Sequence, residues 1–248
     1  MDIAAFRKLI IPACAAALLG APQSAFTMHI AEGILPAPWA ALWFAASVPF
    51  IYWGLRQLKK QGRELTWFKP YIGMVGAAVF IISCMPIPIP FAGTCSHPCG
   101  TGLAAILIGP ALTAVVASVA LVLQALFLAH GGLTTLGADV FSMGVVGAFA
   151  GWGIFRLTRR LGLSWAVSAF LAGVLSDWAT YAVTSLQLAA ALAEPGAFPS
   201  LFYAIAAAFV PTQIPLGILE GFLCMGAFRF IKIRRPEFLQ FVQKGEAA

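Results

Sequence analysis

The stretch TGLAAILIGPALTAVVASVALVLQALFLA, Thr101 to Ala129, decides the topology of this chain. It reads as one apolar run, yet it can cross a bilayer once or twice. Gly109-Pro110 divides it. Proline has no backbone donor and breaks a helix interior, and Gly-Pro is a turn signal. The run therefore splits into a short segment, 101–109, and a full-length segment, 111–129. The short one cannot cross from a surface loop. It fits only if the preceding loop, FAGTCSHPCG (91–100), folds down into the protein, where non-helical backbone is tolerated at membrane depth. His97 is then expected below the outer surface, in a protein-lined pocket.

Working outward, the composition fits a membrane interior. Of 248 residues 61% are hydrophobic and 10% charged, against roughly 25% charged in ordinary soluble domains. Several apolar runs approach the roughly 20 residues that a transmembrane helix needs. The fold class expected is all-α: a polytopic membrane protein of about seven transmembrane helices, with an inward-folded outer loop carrying His97. The spans are 37–58, 71–89, 101–109, 111–129, about 139–156, about 163–190 and about 200–230. The net charge of +6 is not spread as a nucleic-acid surface would be. All fifteen Lys and Arg fall in four clusters: Arg7 and Lys8; Arg56, Lys59, Lys60, Arg63 and Lys69; Arg156, Arg159 and Arg160; and Arg229, Lys232, Arg234, Arg235 and Lys244. Cytoplasmic loops collect such residues, so every basic residue of the mature chain falls on the inner face. Glu32, Asp139 and Glu194 fall on the outer face, where acids without bases concentrate cations.

The N-terminus reads as a leader. Arg7 and Lys8 precede the short apolar run LIIPACAAALLGA, and Ala25 and Thr27 stand at the small-residue positions of a signal-peptidase site. Residues 1–27 are expected to be removed, leaving 28–235 as one integral-membrane domain and 236–248 as a cytoplasmic tail. Cys14 is not at the cut, which argues against a lipoprotein. Cleavage makes Met28 the new terminus, outside the cell, with His29 directly behind it.

That position gives the pair its chemistry. A free Met28 amine and the His29 backbone nitrogen close a five-membered chelate ring on a metal. The same backbone nitrogen and a His29 ring nitrogen close a six-membered ring. An imidazole from His97 completes a planar nitrogen set, which suits nickel(II) or copper(II), with cobalt(II) also possible. The α-amine titrates at roughly 7.7–8.0, so binding weakens in acid. The remaining polar residues are ambiguous by sequence. Cys95 and Cys99, flanking Ser96 and His97, read as soft-metal thiolates, a tight disulfide or small buried residues. His130 reads as a gate or entry ligand, or as a histidine at a helix C-terminus ahead of Gly131-Gly132. Asp139 reads as an N-cap and Glu32 as an outer acid near the pair. Asp177 and Glu220 lie within spans, where ionisable groups are expensive and often functional. They read as a proton relay, or as partners of polar neighbours such as Gln213 or Tyr181. Cys84 and Cys224 read as packing. There is no phosphate-binding G-x-x-x-x-G-K-[ST] motif, so any ATP is hydrolysed by another subunit. No catalytic constellation is present.

Three stretches, MHIAEGILPAPWA, GTCSHPCGTGLAAILIGPA and LFLAHGGLTTLGADVFSMGVVGAFAGW, resemble the CbiM/NikM family, the substrate-capture components of energy-coupling-factor transporters for cobalt and nickel. The likeness runs from Met28 to about Arg229. It implies a seven-helix membrane domain with an extracytoplasmic N-terminus and a metal site of the Met28 amine, His29 and His97. It also implies three partners: a CbiQ-like transmembrane coupling protein, a CbiO-like cytoplasmic ATPase and a CbiN-like small membrane protein. The motifs CSHPCGTGL and HGGLTTLGADVFSMG are closer to the cobalt branch. The function this implies is capture of Co(II), as transported substrate, for cobalamin synthesis. The alternatives are Ni(II) in the same role and a stand-alone secondary permease that would use Asp177 and Glu220.

Overall fold

The computed structural model describes residues 26–27, 29–85, 87–89, 94–128 and 130–239. The described residues fold into seven helices and a small ribbon of strands. The helices are α1 (Ala37–Glu64), α2 (Phe68–Ser83), α3 (Thr101–Ile108), α4 (Pro110–Phe127), α5 (Leu136–Arg160), α6 (Trp165–Leu192) and α7 (Phe198–Arg234). A single 3₁₀ turn, Pro236–Leu239, follows. Proline sits in the first turn of α1, α4 and α7, where its missing N–H has no helical partner to lose. Ser164 caps α6 by accepting from Val167 N–H at 3.3 Å.

α4, α5, α6 and α7 are long and apolar enough to cross a membrane, and α2 is a shorter apolar helix. The split at Gly109 is present as expected. Gly109 closes α3 at φ 87°, a conformation that costs a side-chain-bearing residue, and Pro110 opens α4. All eight residues of α3 are buried. A helix this short is stable only because its backbone bonds are internal and every face meets protein. Several bounds differ from the sequence reading: α1 runs on to Glu64, past 58, and α2 starts at Phe68, before 71. α2 stops at Ser83 instead of continuing to 89, because Pro86, Pro88 and Pro90 cannot donate to a helix. Instead Ile87–Ile89 (β2) pairs antiparallel with Thr94–Ser96 (β3), and Phe26–Thr27 (β1) pairs parallel with the other edge of β3. α5 begins before Asp139 and carries a π-helical stretch, Val140–Gly147.

The core is formed by Phe68, Val79, Leu112, Val140, Met143, Phe155 and Phe228, all buried. Large apolar side chains such as Tyr52, Trp53, Tyr203, Phe222 and Phe230 are exposed on α1 and α7, as expected of helices that face lipid. Basic residues occupy the last turns of α1, α5 and α7. The α5 and α7 clusters meet at one place: the Trp165 ring lies 3.9 Å from the Arg159 guanidinium carbon and 4.9 Å from Lys232 Nζ. Phe238, just past α7, stacks on Tyr71 at 4.8 Å and returns the chain to α2.

Candidate metal site

Three histidines from three distant parts of the chain meet away from the basic ends. One imidazole nitrogen from each of His29, His97 and His130 lies within 4.8 Å of the others. The ring centroids are 4.6 Å apart for His29–His97, 4.7 Å for His29–His130 and 5.0 Å for His97–His130. His29 and His97 are buried, His97 completely, and His130 is partly exposed. His97 is thus below the surface, on the loop that precedes α3. Met28 lies outside the described residues.

The hydrogen bonds fix which nitrogen of each of two rings carries the proton. The carbonyl of Pro98, 3.0 Å from His97 Nδ1, can only accept. His97 therefore carries its proton on Nδ1 and its lone pair on Nε2. His29 Nε2 lies 2.9 Å from Gln124 Oε1. The orientation of the Gln124 amide is set at its other end, where Nε2 donates to Ser83 Oγ at 2.6 Å. Ser83 Oγ spends its own proton on the carbonyls of Val79 and Phe80, so it must accept from Gln124. The amide oxygen then faces His29, whose Nε2–H donates, and the lone pair falls on Nδ1. Nδ1 is the ring nitrogen that can share a six-membered chelate with the residue's own backbone nitrogen. Partners of this kind set the tautomer of metal-binding histidines.

Burial, then the neighbouring imidazoles, lowers the His29 pKa well below that of free imidazole. Burial first, then His130, brings His97 down to about 3. Burial also lowers His130. All three are therefore neutral at pH 7, the state in which imidazole donates to a metal.

The chain around His29 is held by α5 and the loop before it. Asp139 Oδ1 accepts from Ile30 N–H at 2.9 Å, and Thr135 Oγ1 donates to Ile30 O at 2.5 Å. Asp139 thus clamps the N-terminal segment from inside α5 and is not the N-cap that the sequence suggested. Glu32 lies outside the histidine cluster. It ties the loop after His130, accepting from the Thr134 hydroxyl and from Thr134 N–H at 3.1 Å, and those bonds, the hydroxyl's first, lower its pKa. A Cβ on Gly131 (φ 79°) would come within 3.0 Å of His29 Cβ, and one on Gly132 within 2.8 Å of Glu32 N. The paired glycines let the two segments touch.

The His97 loop is held by α6 and α7. Gln213 Nε2 donates to Ser96 Oγ. Tyr181 OH donates to His97 O at 3.4 Å. Glu220 accepts from Cys99 N–H at 2.6 Å and Gly100 N–H at 2.9 Å. Cys99 is buried and free, which sets aside a disulfide with Cys95. Cys95 itself is described through its β3 backbone. Sequence reasoning missed Gln124, Ser83 and Thr135. A lone glutamine in LVLQALF is expensive in an apolar span, and that was the available signal.

Comparison with known proteins follows the same outline. The profile of the CbiM family, described as "Cobalt uptake substrate-specific transmembrane region", matches residues 29–238. The chain is 57% identical over 216 residues to a cobalt transport protein CbiM of Sorangium cellulosum, covering 87% of this chain and 96% of that one. It is 55% identical over 236 residues to a CbiM of Geobacter sulfurreducens, covering 94% and 68%. Among solved structures, a transition metal transporter superposes with a TM-score of 0.70 at 26% identity, covering 85% of this chain and 96% of that one. A truncated transition metal transporter gives 0.69 at 27% identity, covering 85% and 99%.

Proposed function

The chain belongs to the CbiM family, and from that premise we propose that it captures Co(II) as the substrate-binding membrane component of an energy-coupling-factor importer that supplies cobalamin synthesis. The observation that carries the reading is the convergence of His29, His97 and His130 on one buried point. The cargo ion is held by His29 Nδ1 and His97 Nε2, together with the Met28 amine and the His29 backbone nitrogen that removal of residues 1–27 makes available. His130, the partly exposed member, is the entry ligand. In this reading the histidine face is extracytoplasmic and the basic ends of α1, α5 and α7 are cytoplasmic. The protein itself carries no ATP chemistry. A CbiQ-like coupling protein, a CbiO-like ATPase and a CbiN-like small membrane protein complete the importer.

Nickel is the second reading, favoured by one feature: the donors are all nitrogen, and such a set binds Ni(II) more tightly than Co(II). The family relatives named for cobalt favour Co(II) as the cargo in cells. Cells carrying the importer, given labelled Co(II) and Ni(II) in competition, should accumulate cobalt, and His97→Ala should abolish that uptake with the protein still in the membrane. Preferred nickel uptake would replace the first reading with the second. Undiminished cobalt uptake by His97→Ala would overturn both.

A further inference from the structure

We propose that Cys99, Asp177 and Glu220 form a second, inner site for a divalent transition-metal cation. One ligand atom from each of the three lies within 4.8 Å of the others. Cys99 and Asp177 are fully buried and Glu220 is 2% exposed. The three come from the His97 loop, α6 and α7.

The role of Glu220 as a loop anchor explains part of this cluster. Its two oxygens accept from Cys99 N–H and Gly100 N–H, which uses two of about four lone-pair positions on a carboxylate. It does not explain Asp177. The Cys99 thiol donates to Asp177 Oδ1 across 3.8 Å. Asp177 Oδ2 is buried with no hydrogen-bond partner among the described residues. A Cβ on Gly217 would lie 3.1 Å from Asp177 Oδ2, so α7 approaches this oxygen with glycine backbone, beside the Trp178 indole. Neither carboxylate is paired with a Lys or Arg among the described residues. Two adjacent buried carboxylates are costly unless something positive lies between them. A shared proton neutralises one of them. A divalent cation neutralises both, and the Cys99 thiol proton is released as the metal–sulfur bond forms.

The donor set selects the ion. Two carboxylates alone would suit calcium or magnesium, which take oxygen ligands. Sulfur shifts the preference to borderline divalent transition metals. The specific ion rests on the cobalt reading of the outer histidines, and the geometry links the two sites. His97 and Cys99 stand two residues apart, so one short loop supplies a ligand to each. The outer imidazoles and amine carry no charge to set against the cation, whereas the inner carboxylates do.

Cobalt(II) chloride titration of the processed, purified protein tests the proposal, read by bound equivalents and by the sulfur-to-cobalt charge-transfer band. The wild type should take two equivalents, the second bringing in the band. Cys99→Ser should lose the band, and Asp177→Asn should lower the affinity of the second equivalent by about tenfold or more; both keep the first equivalent. Cys95→Ser should keep the band. His97→Ala should lose the nitrogen-bound equivalent and keep the sulfur-bound one, so failure of the outer site and of the inner site read differently. A wild type that stops at one equivalent without the band overturns the proposal and leaves the shared proton as the account of the carboxylates. So does a band that persists in Cys99→Ser. The wild-type result decides even where a variant fails to fold.

Discussion

His29 Nε2 lies 2.9 Å from Gln124 Oε1, a bond between the residue after Met28 and the last turn of α4, 95 positions later. It orients the His29 ring, and it is itself oriented by Ser83 through the Gln124 amide. Gln124→Leu removes the acceptor and leaves the His29 N–H unsatisfied, at about 1–3 kcal/mol. Loss of such an orienting partner typically weakens metal binding by about 10–100-fold. A competition titration with Co(II) should show a drop in that range, and Gln124→Leu affinity equal to wild type would refute the assignment of Nδ1 as ligand.

Asp139 accepts from the Ile30 N–H and Thr135 donates to its carbonyl. Asp139→Ala strands a buried backbone donor one residue from His29. Cobalt affinity should fall, and hydrogen exchange at Ile30 should accelerate while exchange in α6 is unchanged. Equal protection in the variant would mean the clamp does not hold the segment.

A methyl group on Gly132 would sit 2.5 Å from Glu32 Oε2 and 2.8 Å from the Glu32 backbone nitrogen. The side chain can turn away but the backbone cannot. Gly132→Ala should therefore displace residues 29–32 and weaken Co(II) binding, whereas Glu32→Gln, which keeps the space, should leave binding near wild type. Comparable losses in both would point to the Glu32 charge instead of the fit.

Burial holds all three histidines below their ordinary pKa, His97 at about 3. The unfolded chain protonates them near pH 6.5, so below that pH the unfolded state binds protons that the folded state does not. The stability from these groups is complete above about pH 6.5 and is lost as the pH falls toward the folded values. The thermal midpoint of metal-free protein in detergent should drop across that window, and His97→Gln should flatten the drop. A midpoint independent of pH in the wild type would contradict burial of neutral imidazoles.

Much of this was legible in the sequence, for reasons visible in particular residues. Gly109-Pro110 announced the break between α3 and α4 because both residues act through local backbone geometry. The low charge and clustered Lys and Arg announced a membrane helical bundle. The resemblance of the histidine-bearing stretches to one family pointed to the metal. The end of α2 was missed because its apolar composition continues past Ser83, and only the alternate prolines after it reveal a strand. The role of Asp139 was missed because its partner, Ile30, is 109 residues away, a contact that no local pattern encodes. His130 is ambiguous in the sequence for the same reason: its neighbours His29 and His97 are reached only through the packing of the N-terminal segment and the α3 loop.

Central to the proposed function is one divalent cation held by the imidazoles of His29 and His97, with His130 as its entry ligand. X-ray absorption at the cobalt edge tests it directly, on processed protein loaded with a single equivalent of Co(II). A nitrogen first shell with outer scattering from at least two imidazole rings, reduced by His97→Ala, is the predicted result. A first shell of water and carboxylate oxygens, unchanged in His97→Ala, would contradict it.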